Sequence, residues 1–261
     1  MEKKELLLGF IFSVLLISFI LSSTEFQANS NISSSDNWPM FRHDANHTGY
    51  SNNIVPITNP SKIWSYNTGV GFNTTPAIVN GSIYLTNEFH NNLFCLNAST
   101  GKKIWENTTG GSPLSPAVAN GFVYTTYNGI TAYNASTGNQ LWNYQTEGNV
   151  GSNTVVFEDV VYVCTGKIYA VNATTGELIW ASSELTHGST VSSPAVGDGF
   201  VIVGGYDGGV YAFNVTNGEL VWKYDTFRWV FSSPAIANGR VYIGSNNDHF
   251  YCLDVKTGNQ I

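Results

Sequence analysis

The sequence predicts an all-β fold, a β-propeller of four-stranded antiparallel blades. Three observations predict it: a phrase that recurs about every forty residues, turn dipeptides at fixed places inside each copy, and a composition poor in charge and rich in aromatic residues and glycine. Aromatic residues make up 14% and charged residues 11%, with 26 glycines in 261 residues, against roughly 25% charge in an average soluble domain. The phrase is NASTGKKIW from Asn97, NASTGNQLW from Asn134, NATTGELIW from Asn172, NVTNGELVW from Asn214 and DVKTGNQI from Asp254. Anchored on Pro76, Pro116, Thr154, Pro194 and Pro234, the copies step by 40, 38, 40 and 40 residues. A period near forty with four short strand patterns is that of a propeller blade, and the amphipathic helices of a helical array are absent.

Each copy justifies its elements in order. An apolar strand such as PAIV or PAVA comes first, then Asn80-Gly81, Asn120-Gly121, Asp198-Gly199 or Asn238-Gly239. Such pairs accept two positive φ angles and close a two-residue hairpin. A degenerate copy, NTVVFEDVVYV at 153–163, lacks the pair. The second strand ends at a turn carrying Asn128-Gly129 or Asp207-Gly208, and a third strand such as GVYAFNV follows. Thr100-Gly101, Thr137-Gly138, Thr175-Gly176 and Thr257-Gly258 then supply a third turn, whose glycine takes a backbone geometry closed to other residues. That turn delivers Trp105, Trp142, Trp180 or Trp222 to begin the outermost strand, with Trp64 ahead of the first copy. A blade cannot cover both its faces alone, so each ring is expected to pack on the neighbouring blade, burying roughly 150 to 250 Å².

The pattern SPAVxNGxVYxxxxxGxxYAxNxxTGxxxW resembles the repeat of the PQQ-like (pyrroloquinoline-quinone-type) β-propellers, a family that includes quinoprotein alcohol dehydrogenases and BamB-like assembly factors. The stretch WPMFRHDANHTGYS at 38–51 is similar to the lead-in before such repeats in exported prokaryotic proteins. The resemblance spans about Trp38 to Ile261 and implies six to eight blades. Five repeats are present. Gln260-Ile261 aligns with Gln140-Leu141 and stops one residue before an expected sixth Trp, so the sequence reads as part of a larger ring. The alternative is a closed five-bladed ring in which Lys62 to Tyr66 completes the blade begun at Trp229.

Residues 62–261 are thus the repeats and 29–61 an irregular lead-in. Residues 1–28 open with MEKKE and an apolar run, Leu6 to Leu21, and read as a secretory signal peptide. The run falls just short of a bilayer span and lacks a clean A-x-A site, so an uncleaved anchor through residues 6–21 stays open. Either places the protein outside the cell or at its surface. The net charge is −7, about −6 without residues 1–28, and no basic patch is visible, which excludes nucleic acid as a partner. Candidate N-glycosylation sequons begin at Asn31, Asn46, Asn73, Asn80, Asn97, Asn107, Asn134, Asn172 and Asn214, although asparagine also serves turns on its own account. Of the three cysteines, Cys95 and Cys252 stand where other copies have Ala132, Ala170 and Ala212, which predicts buried filler rather than disulfides.

No catalytic set emerges. The dehydrogenase resemblance implies an adjacent Cys-Cys pair and Asp, Glu and Asn groups around calcium, and the chain has no such pair. His43 and His47 are four apart, but Pro39 and Gly49 argue against a helix that would make them a metal pair, and His90, His187 and His249 complete no ligand set. Phosphate-loop and nucleophile-elbow motifs are lacking. No cofactor or metal is therefore expected. What remains is a surface: Phe227, Arg228, Trp229 and Phe231 fill a blade-to-blade connection whose counterparts, GGSPLS and GNVGSN, are small and polar. An Arg between rings suits a sugar or a partner's carboxylate. The competing view is that Trp229 and Phe231 merely seal the junction with the preceding blade. The sequence therefore points to a non-catalytic binding or scaffold module for protein or carbohydrate at the cell surface. The alternatives are a fragment of a PQQ-dependent dehydrogenase or a BamB-like envelope protein assembly factor.

Overall fold

In the computed structural model, residues 37–51, 61–69, 71–87, 91–111, 114–183, 185 and 192–261 are described. The Leu6 to Leu21 run, Asn31, His90 and His187 lie outside them.

The first hairpin turn of each blade carries two consecutive positive φ angles. They occur at Asn80-Gly81, Asn120-Gly121, Asp198-Gly199 and Asn238-Gly239, as the dipeptides require, and also at Glu158-Asp159, with φ of 45° and 61°. Five hairpins therefore start five sheets. The first blade holds β1 (Ala77–Val79), β2 (Ser82–Asn87), β3 (Asn92–Asn97) and β4 (Lys103–Thr108); the second, β5 (Ala117–Ala119), β6 (Phe122–Thr126), β7 (Gly129–Asn134) and β8 (Gln140–Gln145). The third holds β9 (Val155–Phe157), β10 (Val160–Cys164), β11 (Ile168–Asn172) and β12 (Leu178–Ala181); the fourth, β13 (Ala195–Gly197), β14 (Phe200–Gly204), β15 (Gly209–Asn214) and β16 (Leu220–Asp225). The fifth has β17 (Ala235–Ala237), β18 (Arg240–Gly244) and β19 (Phe250–Asp254). All pairings are antiparallel between chain neighbours, in meander order.

The recurring phrase builds a turn and a seat. The Asn97 side-chain oxygen accepts from the Ser99 and Thr100 amides, and the Gly101 amide returns to the Asn97 carbonyl at 2.8 Å. Asp254 makes the same bonds with Lys256 and Thr257. The oxygen, not the amide nitrogen, is what this turn uses. Beyond it the register shifts by one residue at Cys95/Leu96, Ala132/Tyr133, Ala170/Val171 and Ala212/Phe213, a bulge that re-aims the outermost strand. Each Trp sits third in that strand, two residues later than expected.

The tryptophan then docks on the next blade. Trp64, Trp105, Trp142, Trp180 and Trp222 donate Nε1–H to the carbonyls of Ala98, Ala135, Ala173, Val215 and Val255, at 2.9 to 3.2 Å. Their rings lie on Gly101, Gly138, Gly176, Gly218 and Gly258. A Cβ on Gly138, Gly176 or Gly258 would stand 2.7 Å from a ring carbon, and all five glycines have φ between +68° and +77°. Within a blade the ring crosses a small residue: Trp105 is opposite Cys95, and Trp142, Trp180 and Trp222 are opposite Ala132, Ala170 and Ala212. None of the three cysteines forms a disulfide; Cys95 is buried, the small filler that its alignment with alanine implies, whereas Cys252 on the fifth blade is only partly buried.

A second tie runs along the inner ends of the blades. The residue before the proline position donates its amide to the same position one blade on: Thr75 to Ser115 Oγ, Ser115 to Asn153 Oδ1, Asn153 to Ser193 Oγ and Ser193 to Ser233 Oγ, at 2.9 to 3.1 Å. The innermost strands follow suit, β1 beside β5, β5 beside β9, β9 beside β13 and β13 beside β17.

The lead-in binds the inner strands from within. Trp38 exchanges two backbone hydrogen bonds with Ile78 of β1; the carbonyls of Pro39, Ala45 and Asn46 accept from Val118 of β5, Val196 of β13 and Ile236 of β17, at 2.7 to 2.9 Å. Met40 and Ala45 join the main core. The closed five-bladed alternative is not realised. Residues 61–68 pair with no strand, and Trp64 docks on the first blade as each later Trp docks on the blade that follows it. The place beside β19 is taken by Gln260, bridged to Leu253, and by Ile261, whose amide donates to the Cys252 carbonyl.

Candidate functional site

Strand β16 ends at Asp225, and the chain must turn there to reach β17 on the fifth blade. The Asp225 carboxylate accepts the Phe227 amide at 2.9 Å and holds Phe227 at φ 62°, where the first such connection has Gly110 at 75°. A bulky residue in that region is strained. The strain is sustained because the loop is fixed on both sides. Thr226 donates its hydroxyl to the Arg228 carbonyl, the Val230 amide donates to Gly205, and the Asn246 amide donates to Trp229. Gly208 presses on the Arg228 backbone so closely that a Cβ would lie 2.8 Å from it.

The side chains point outward. Phe227 is 83% exposed, Trp229 56% and Phe231 39%, while Val230 between them is buried. Val230 fills the junction with the fourth blade, and Trp229 and Phe231 lie over its edge. Trp229 and Phe231 meet each other and Tyr206 of the fourth blade: Tyr206–Trp229 centroids are 6.3 Å apart at 83°, Tyr206–Phe231 5.2 Å at 86°, and Trp229–Phe231 5.6 Å at 58°. Edge-to-face pairs of this kind contribute about 0.5 to 1.5 kcal/mol beyond the area they bury.

Beside the rings lies a cleft of about 630 Å³ lined by Tyr206, Asp207, Phe227, Arg228, Trp229, Asn246, Asn247 and Asp248. Asp207 is committed inside its own blade, to Lys223 Nζ at 3.2 Å and to the Tyr211 hydroxyl. Lys223 in turn lies over the Tyr211 ring. Asn247 donates to the Thr226 carbonyl and the Tyr251 hydroxyl, at 2.8 and 2.6 Å, which anchors the fifth-blade wall. Among the described residues Arg228 makes no ion pair. Sequence reasoning missed Tyr206 and the 246–248 turn, because each is ordinary where it stands and only the fold brings it to the loop.

The other candidates disperse. His43 pairs with Asp44 and stands edge-on to Trp38, His47 is buried against Pro234, and His249 bonds Asn247. Among the described residues no three His, Cys, Asp or Glu lie close enough to hold a metal ion. Asn97, Asn134, Asn172 and Asn214 each spend the side-chain oxygen on a turn, and Asn107 donates its amide to Gly138.

The family model described as outer membrane protein assembly factor BamB matches residues 52–183 and 164–261. Among solved structures, a quinohemoprotein alcohol dehydrogenase from Comamonas testosteroni superposes with a TM-score of 0.74 at 19% identity, over 88% of this chain and 49% of that one. BamB from Moraxella catarrhalis gives 0.67 at 17%, over 76% and 63%, and a europium-containing methanol dehydrogenase gives 0.69 at 17%, over 86% and 57%. At these identities the likeness shows the fold alone, and the chain spans about half the length of the alcohol dehydrogenase. No curated protein sequence matches it.

Proposed function

This chain belongs to the family of the outer membrane protein assembly factor BamB, and on that premise we propose that it is an exported, non-catalytic scaffold that docks polypeptide partners on the face bearing the cleft beside Arg228. The observation that carries the reading is the outward-facing cluster of Tyr206, Trp229 and Phe231 beside the Arg228 guanidinium, which makes no ion pair among the described residues. Exposed aromatic rings and Arg are the residue types that dominate binding energy at protein interfaces. Backbone bonds hold the loop before any partner arrives, which lowers the ordering cost of binding.

The dehydrogenase reading draws on the same fold, and two features of the described residues lend it less support than the docking reading. Cys95, Cys164 and Cys252 stand on three different blades. At the inner edges of four blades, where the sheets converge, the amides of Ile78, Val118, Val196 and Ile236 already donate to the lead-in. Export through residues 1–28, by a cleaved signal or by an anchor at 6–21, belongs to the same proposal.

A photo-crosslinking side chain at position 229, with a control at Asn143 on β8, tests the docking reading in cells of the source organism. Adducts at 229 that Arg228→Ala reduces several-fold, at an unchanged melting temperature, support it. Equal adducts at both positions, or a parallel loss of capture and stability, overturn it.

A further inference from the structure

We infer that the lead-in is an acid-sensitive pin across the junction of the fourth and fifth blades, released by protonation of His47. The inference rests on the reading of the cleft given above, whose walls come from those two blades, and it names how that site is regulated.

The pin is defined by adjacent residues. Ala45 accepts the Val196 amide of β13 at 2.7 Å and Asn46 accepts the Ile236 amide of β17 at 2.9 Å, so two consecutive carbonyls hold the two blades. Arg42 adds a bond to the Ser233 carbonyl at 2.8 Å. His47 closes the set, with Nδ1 at 3.0 Å from the Pro234 carbonyl. A carbonyl oxygen only accepts, so Nδ1 carries the proton and Nε2 is left with a lone pair. That Nε2 is buried and without a partner. Protonation would force a second N–H, and a charge, into a place that offers no acceptor, which a buried site penalises heavily.

The surroundings reinforce this. Phe41 stands edge-on to the imidazole, 5.5 Å away at 87°. Two charged groups act on it: Arg42 opposes a second positive charge and Asp44 favours it, but Asp44 is engaged by the Thr48 amide and hydroxyl and by His43. From the fifth blade it is faced by the Pro234 carbonyl. Burial is the largest cause, and it pushes the imidazole from 6.5 down to about 4.

The sign follows from linkage. With the pinned form at about 4 and the released form at 6.5, the released form binds more protons between those values. The pin is therefore at full strength above pH 6.5 and weakens as pH falls toward 4. Relative to pH 7, the opening equilibrium should rise roughly 60-fold at pH 4.5 and on the order of 200-fold well below pH 4.

Amide hydrogen exchange on the full chain, corrected for intrinsic rates, tests this at pH 7 and 4.5 for the wild type and for His47→Asn. The Asn Nδ2 takes the place of Nδ1 and does not titrate. Protection of Ile236 and Val196 should fall by the stated factor in the wild type, with β6 to β8 unaffected, and should be equal at both pH values in the variant. No fall in the wild type, or the same fall in the variant, overturns the inference. If the variant does not fold, imidazole nitrogen spectra of the wild type decide instead. One ring should remain neutral with its proton on Nδ1 down to pH 5, and ordinary titration of all five rings overturns the pin. Neither readout involves a partner, so the pin stands or falls independently of what the cleft binds.

Discussion

Replacing Trp142 by Ala, alone and together with Gly176→Ala, examines the joint between the second and third blades. Trp142 is partly buried, so the lower part of the range for a tryptophan, roughly 150 Å², applies; at about 25 cal/mol per Å² this gives about 4 kcal/mol. The lost Nε1 bond adds little, because the Ala173 carbonyl it served also accepts from the Tyr124 hydroxyl at 3.1 Å. Gly176→Ala suffers twice, once from φ of +77° and once from a Cβ placed 2.7 Å from the ring. The first cost is about 1 to 2 kcal/mol and persists whatever the ring does. The second vanishes when the ring is gone. Urea titration followed by circular dichroism should therefore show Gly176→Ala costing at least about 1 kcal/mol less in the Trp142→Ala background than in the wild type. Additivity within about 0.5 kcal/mol would mean that ring and glycine do not share a contact, and the docking account of the repeat would fail.

Ser193→Ala removes the acceptor for the Asn153 amide and side chain, at 3.1 and 3.0 Å in a buried site, and should cost about 1 to 3 kcal/mol in the same titration. Asn134→Asp should leave the melting temperature nearly unchanged, since Asp254 builds the same turn, whereas Asn134→Ala should cost about 1 kcal/mol; equal losses would refute the oxygen-only role. Glu158→Asn should stabilise by roughly 0.5 to 1 kcal/mol, visible as a higher urea midpoint at constant slope, because Glu158 is held at a positive φ that asparagine tolerates better. Peptide mapping of the exported protein, with and without glycosidase, reports which of Asn73, Asn80, Asn97, Asn107, Asn134, Asn172 and Asn214 carry sugar; an unmodified protein would leave the turn role as the explanation of Asn97, Asn134, Asn172 and Asn214.

The blade was legible in the sequence because its information is local. A dipeptide that needs two positive φ angles, an asparagine that folds back on its own chain and a tryptophan at fixed spacing each act within a few residues. Glu158-Asp159 hid its hairpin because the geometry there is imposed by the pairing of β9 with β10, not by the residue types. The glycines were legible as turns but not as seats, since the ring they receive comes from the preceding blade. The lead-in was legible only as irregular, because the strands it binds lie far along the chain. At the candidate site, the unusual Phe227 to Phe231 loop stood out by contrast with GGSPLS, while Tyr206 and the 246–248 turn are brought to it by packing.

The lead-in has a temporal consequence. Its bonds to Ser233 and Pro234 join residues 191 and 187 positions apart. At about 5 to 20 residues per second, a ribosome makes the second partner roughly 10 to 40 s after the first. The blades complete their local meanders on far shorter times. Arg42 and His47 are thus made early and bound late. Through that interval the inner amides of β1, β5 and β13 appear one after another, so the growing chain carries its own provisional strand-edge cover until the fifth blade emerges and fixes the segment in place.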